Sequence, residues 1–233
     1  MAVHGGPNIV EDDLVLCIDA ANAKSYTGTG TAWTDISGNG NNITLSSSGI
    51  SYDSTDGGGS IVFDGTDGKG SNSLSIDNID DNGGSLEVWC KITDTSSYRH
   101  IAGWRDSDKF YMLLLYSNGS MEARADGAGS HVDIVSSDYG TSFWANNWNH
   151  IVLTLNRSDN KTRFYLNGSL VDTSSSTVGA MGTNNLFELM KTADLGSATS
   201  AGKLSQVRVY SGKALSAAEV KQNFDALKGR FGL

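Results

Sequence analysis

The segment WNHIVLTLNRSDNKTRFYLNGSLV, from Trp148 to Val171, decides the fold class. At a period of two, Ile151, Leu153 and Leu155 share one face while His150, Thr154 and Asn156 share the other, the alternation of a half-buried strand. Phe164 and Leu166 then alternate with Arg163 and Tyr165, and Asn167-Gly168 follows at once. Asn and Gly tolerate the positive φ of a two-residue primed hairpin turn, so the segment predicts consecutive antiparallel strands. His150 falls on the less apolar face beside Asn149 and Asn156. No spaced nucleophile or second histidine accompanies it, so it reads as a hydrogen-bonded strand residue rather than a catalytic base.

The same period extends outward. GSLEVWCKI places Leu86, Val88, Cys90 and Ile92 inside, with Glu87, Trp89 and Lys91 opposite. DLVLCIDAAN supplies a first apolar strand, and GSIVFDGTDGKG puts Ile61 and Phe63 on one face before a glycine-aspartate loop. In KFYMLLLYSNGSMEARAD, Asn118-Gly119 joins the run Phe110–Tyr116 to the alternating Met121, Ala123 and Ala125, which predicts a hairpin. A continuous apolar run implies a strand covered on both sides, by the second sheet and either a loop or another chain. Only LSAAEVKQNFDALKG has the helical period. Ser216 and Glu219 form a capping box, Leu215 can staple against Val220, and Gly229 offers a left-handed C-cap to a stripe of Val220, Phe224 and Leu227.

Twenty-eight glycines, one proline and 18% charged residues suit many short strands joined by tight turns, and 233 residues suffice for one large core. The expected organisation is an arm over residues 1–13, one sandwich over 14–228 that includes a helix at 216–228, and a tail over 229–233. A formal charge of −9 argues against nucleic acid as partner. No apolar run approaches the ~20 residues of a membrane helix, which argues against membrane insertion. MAVHGGPNIVEDD lacks the pattern of a secretory signal, so synthesis in a cytoplasm is expected. Cys17 and Cys90 sit in strand-like surroundings and read as buried free thiols.

Known catalytic motifs are missing. A retaining glycosidase needs two carboxylates about 5 to 5.5 Å apart on one face, whereas Glu87 is followed on its face by Trp89 and Lys91, and Arg124 lies between Glu122 and Asp126. Scattered histidines give no zinc spacing. Calcium is the one cofactor expected, at Asp53, Asp56, Asp64 and Asp67 around flexible glycine turns, although Asp-Gly is equally a common turn former. Two clusters combine aromatics with planar polar groups as glycan recognition requires. One is Tyr98, His100, Trp104, Arg105 and Asp106; the other is Tyr139, Trp144, Asn146 and Asn147. Aromatic residues capping a sandwich core would produce the same letters, and exposure separates the two cases.

Taken in order, SIVFDGTD, SLEVWCKI, WNHIVLTLN with TRFYLNGSLV, and KLSQVRVYSGKALSAAEV resemble the laminin-G-like, concanavalin A-like lectin-glucanase jelly-roll superfamily. The resemblance implies an all-β fold: a two-sheet antiparallel jelly-roll sandwich with one short C-terminal helix. NIVEDDLVLCIDAANAKSY, WTDISGNGNN and FDALKGRFGL are similar to segments of tailed-phage virion structural proteins. That likeness implies a non-enzymatic virion protein, associated with capsid, neck or tail. Its expected partners are other virion proteins, a second copy in a homo-oligomer, and a host surface glycan. A free-standing calcium-assisted lectin and a glycosidase of the same fold are the alternatives. The arm and the KGRFGL segment are the expected attachment segments.

Overall fold

The computed structural model describes residues 8–96, 98–106, 109–127, 130–135, 139–183, 185–191 and 199–233; the side chains of 106, 126 and 130–135 are outside that description. Its first strands are β1 (Leu14–Asp19), β2 (Ala32–Trp33), β3 (Ile43–Leu45), β4 (Ile50–Asp53), β5 (Ser60–Asp64) and β6 (Gly70–Asn72). The middle of the chain forms β7 (Gly84–Ile92), β8 (Arg99–Asp106), β9 (Lys109–Leu115), β10 (Met121–Gly127) and β11 (Ser130–Val135). The remainder forms β12 (Trp148–Asn156), β13 (Lys161–Leu166), β14 (Ser169–Thr173), β15 (Phe187–Leu189) and β16 (Ala201–Ser211). Helices are short: α1 (Asp77–Asn82), α2 (Thr141–Trp144) and α3 (Ala217–Leu227).

All strand pairs are antiparallel, and they make two eight-stranded sheets. One runs β14-β13-β12-β7-β16-β5-β4, with β1 added to the far half of β16; the other runs β11-β10-β9-β8-β15-β6-β3-β2. Strand β16 is shared lengthwise. Ala201–Leu204 pair with β5, and Gln206–Tyr210 pair with β1. The predicted inward residues Leu86, Val88, Cys90, Ile92, Ile151, Leu153, Leu155, Ile61 and Phe63 all lie in one apolar core with Tyr111, Leu113, Leu115, Met121 and Ala123 of the opposing sheet. Asn167 and Gly168 have φ of 49° and 78°, as the primed turn requires. Cys17 and Cys90 are buried free thiols.

The outer face of the first sheet is covered, which strand alternation alone does not reveal. Glu87, Trp89 and His150, opposite the core residues of β7 and β12, are at most 1% exposed because α3 and the segment after it lie across them. Asn223 of α3 donates to Glu87 Oε2 at 2.8 Å, and Phe231 stacks on Trp89 at 4.0 Å between ring centroids. The run in β9 is likewise buried on both faces, with Phe110, Met112 and Leu114 forming a separate cluster beneath the Arg105 and Arg124 guanidinium groups.

The capping box forms as expected: Ser216 Oγ accepts from Glu219 N–H, and Glu219 Oε2 accepts from Ser216 N–H at 2.8 Å. Leu215 and Val220 share one cluster. Replacing Ser216 with Ala should cost about 1 kcal/mol, measured as a lower urea midpoint with unchanged slope. The predicted left-handed C-cap at Gly229 is not used. The helix instead tightens into a 3-10 turn, Lys228–Arg230, and Gly232 takes the positive φ of 74°. The arm and the tail are docked onto the domain where they are described. Val10 N–H donates to Asn223 Oδ1 at 2.8 Å, and Arg230 grips both oxygens of Asp19 at 2.8 Å.

Candidate functional site

The two expected glycan clusters come apart in the fold. Trp104 and Trp144 are fully buried, their indole N–H groups donating at 2.6 Å to Leu74 O and Gly119 O. They are core capstones, and neither can stack on a sugar. His100 is also fully buried, and neither ring nitrogen has a hydrogen-bond partner among the described residues; burial, with Arg105 adding to it, pushes its pKa down to about 3. Arg105 stacks over Phe110 at 4.5 Å. The Asp106 side chain lies outside the described residues. Tyr98 is 49% exposed but leans on Tyr116, 4.3 Å away, and is the one open member of its cluster. Tyr139 packs against Phe143 at 4.9 Å, partly buried.

Three of the four acidic residues expected around one calcium are committed elsewhere. Lys203 Nζ lies 2.8 Å from both Asp53 Oδ2 and Asp56 Oδ2, and Lys91 Nζ lies 2.9 Å from Asp56. Asp56 also accepts from the Trp148 indole at 2.7 Å. Burial alone would raise the Asp56 pKa, but Lys203, the indole N–H and Lys91 outweigh it and hold the carboxyl at about 2. Asp64 Oδ1 instead accepts the backbone N–H groups of Thr66, Asp67 and Gly68, as a turn-forming aspartate does. Asp67 is exposed. Among the described residues no three His, Cys, Asp or Glu side chains are arranged to hold a metal ion.

Asn146 and Asn147 fare differently, because they open a groove of about 340 Å³ whose other walls are Asn149, Asn167, Trp148 and Phe231, with Phe143 at its rim. The groove exists because α2 ends here. Ala145 bridges to Ile92, Asn146 turns through φ 63°, and β12 begins at Trp148. Left-handed φ suits Asn, whose short side chain bonds locally at little steric cost. Asn147, an exposed residue, closes the helix by donating from Nδ2 to Phe143 O at 3.0 Å.

Below it the amides form a ladder. Asn149 Nδ2 donates to Asn147 O at 3.2 Å, Asn167 Nδ2 donates to Asn149 Oδ1 at 3.2 Å, and Asn167 Oδ1 accepts from His150 N–H at 2.9 Å. These bonds fix the amides and spend only part of their capacity, since each amide has two donors and two acceptor positions. The Asn146 side chain makes no hydrogen bond among the described residues and is exposed. Trp148 and Phe231, 5.0 Å apart and each 8% exposed, line the groove. No ionisable side chain lines it. The chemistry available is amide hydrogen bonding beside an apolar surface.

The expected residues Asn146 and Asn147 line this groove together with Trp148, Asn149 and Asn167, which the sequence places in a strand and its hairpin turn. The available signal was the density of amides in ANNWN together with the Asn-Gly turn, which a hairpin between β13 and β14 returns to the start of β12. Phe231 carried no signal in sequence. A second group with acid-base character, Glu87 with His150 at 2.9 Å and Arg208 at 2.6 Å, is sealed under α3 with no path for a substrate among the described residues.

No curated protein matches the chain in sequence. Among solved structures, the binding domain of Paraclostridial Mosquitocidal Protein 1 superposes with a TM-score of 0.70 at 18% identity, over 92% of this chain and 52% of that one. The binding domain of botulinum neurotoxin serotype D gives 0.71 at 14% identity, over 92% and 52%. A structure of botulinum neurotoxin type C, which enters cells in dependence upon interaction with two ganglioside molecules, gives 0.69 at 14%, over 94% and 52%. The chain spans about half the length of these neighbours, and at such identity the likeness is one of fold. The Laminin_G_3 family model matches residues 64–221, which holds β7 to β16 and the start of α3, and so the chain belongs to the concanavalin A-like lectin/glucanases superfamily.

Proposed function

We propose that the domain is a non-enzymatic carbohydrate-recognition module that holds a saccharide in the asparagine groove. The observation that carries this reading is the fixed amide ladder beside the Trp148 and Phe231 rings, with donors and acceptors left unspent. A saccharide presents matched hydroxyl pairs and an apolar ring face, and planar amides next to aromatic carbon are suited to both. The sealing of Glu87 and His150 supports the absence of glycosidic chemistry. The neurotoxin neighbour that depends on gangliosides shows that this fold serves proteins which meet glycans.

Asn146→Gly tests the assignment cleanly. Glycine accepts the φ of 63° without strain, so the amide is removed while the turn is kept. On a glycan array, affinity for the bound saccharide should fall about tenfold, the loss of one or two ligand hydrogen bonds, with an unchanged melting temperature. Unaltered binding by the variant would remove the groove from the reading. Reducing-sugar release abolished by a single carboxylate change would replace recognition with catalysis.

The carrier of the module in this proposal is a tailed-phage particle, with capsid, neck or tail proteins as neighbours. Support comes from the likeness of NIVEDDLVLCIDAANAKSY, WTDISGNGNN and FDALKGRFGL to virion proteins. Locating the chain in a density map of an intact particle tests it, and a particle without the chain overturns it.

A further inference from the structure

A second cleft, separate from the asparagine groove and unused by the function proposed above, lies where the turn after Tyr26 faces the turn between β3 and β4. It encloses about 350 Å³, within the range of small-molecule sites. Both walls are braced from behind. Tyr26 donates its hydroxyl to Gly30 O at 3.0 Å and Tyr52 donates to Ala20 O at 3.1 Å, so the two rings, 5.4 Å apart and inclined at 55°, are held in place. On the opposite wall Ser46 Oγ donates to Ser48 O at 2.8 Å and accepts from Lys69 N–H at 3.1 Å. Gly49 behind it leaves no room for change, because a Cβ there would meet Gly68 N at 2.3 Å.

The exposed hydroxyl residues lining this braced cleft are a different set. Thr29, Thr31, Ser47 and Ser51 line it, and their side chains make no hydrogen bond to the protein among the described residues. The half-buried Tyr52 ring supplies the apolar surface beside them, and no charged side chain is in the lining. With a formal charge of −9 on the whole molecule, an anionic ligand would gain no ion pair here and would meet net repulsion. An uncharged ligand rich in hydroxyls, with one apolar face, fits all three features. Because the walls are already fixed, binding costs little ordering of the protein.

We propose that the Tyr26–Tyr52 cleft is a second binding site, specific for a neutral saccharide and indifferent to acidic sugars. The test is titration of the isotope-labelled chain with the methyl glycosides of glucose, galactose, mannose and N-acetylglucosamine, and in parallel with N-acetylneuraminic acid, at tens of millimolar. At least one neutral glycoside should shift the amide resonances of Gly28–Thr31 and Ser46–Tyr52, while the acidic sugar leaves them in place. Ser47→Glu, an exposed substitution that puts a carboxylate into the cleft, should weaken that binding about tenfold or more without altering the spectrum elsewhere. Asn146→Gly in the groove should leave these shifts unchanged, so the two sites fail or stand independently. Resonances here that move with no neutral glycoside, that move equally with N-acetylneuraminic acid, or that respond identically in Ser47→Glu overturn the proposal.

Discussion

Glu87→Ala should destabilise the domain by about 3–5 kcal/mol, the cost of stranding a buried charge. Glu87 joins Arg208 at 2.6 Å, His150 at 2.9 Å and Asn223 at 2.8 Å, and all four side chains are at most 1% exposed. Removing the carboxylate leaves the Arg208 guanidinium without its counter-ion and unhooks α3 from the sheet. The paired change Glu87→Leu with Arg208→Met should cost far less than the two single changes summed, because an apolar pair of similar volume avoids desolvating either charge. Urea denaturation of the three variants measures this, and additive losses would contradict it.

The same carboxylate sets an acid limit. Burial would raise the Glu87 pKa, but the Arg208 charge, the His150 bond and Asn223 together lower it from 4.5 to about 2. A group depressed on folding contributes its full stability above its unfolded pKa and loses it as pH falls through its folded one. The contribution should therefore be complete above about pH 4.5 and vanish toward pH 2. In Glu87→Gln the midpoint of unfolding should vary less over that window than in the parent protein.

Trp89→Ala should cost a comparable about 3–5 kcal/mol and should loosen the segment after α3. Trp89 is fully buried between the sheet and two rings, Phe231 at 4.0 Å and Phe224 at 5.8 Å, both nearly parallel to it. Without the indole, Phe231 loses its stacking platform and keeps only its contact with Trp148, while Arg230 still holds Asp19, Gly57 O and Ser205. Tryptic cleavage after Lys228 and Arg230 should accelerate in the variant under conditions where the parent resists, and equal cleavage rates would show that the indole does not anchor it.

What could be read beforehand follows from which interactions are local. Strand alternation and the Asn167-Gly168 turn are written in neighbouring residues, and so is the Ser216–Glu219 capping box. The face that a strand turns inward is given by its period, but whether its other face meets water is not. Trp89 reads as a packing residue and Glu87 only as the opposite face of a core strand; α3, more than a hundred residues later, is what covers both. The same blindness made Trp104 and Trp144 plausible sugar platforms. Asp53 and Asp56 suggested a cation loop for a related reason, since Lys203 is 150 and 147 residues away along the chain. Asn146 and Asn147 stand out in the sequence because a cluster of amides next to tryptophan is chemically suggestive without a distant partner; Phe231 reaches the groove only through tertiary packing.

The lengthwise sharing of β16 governs how this chain can acquire its shape. Among the described residues β1 has no other strand partner, and Asp19 meets Gln206 across 187 positions of sequence. During ribosomal synthesis β1 must wait, apolar and unpaired, until β16 has emerged. Closing so large a loop is entropically slow, and an orphan strand is a template for mispairing between nascent molecules. Assembly in the cell is accordingly expected to be a late, concerted event, sensitive to crowding by copies of itself.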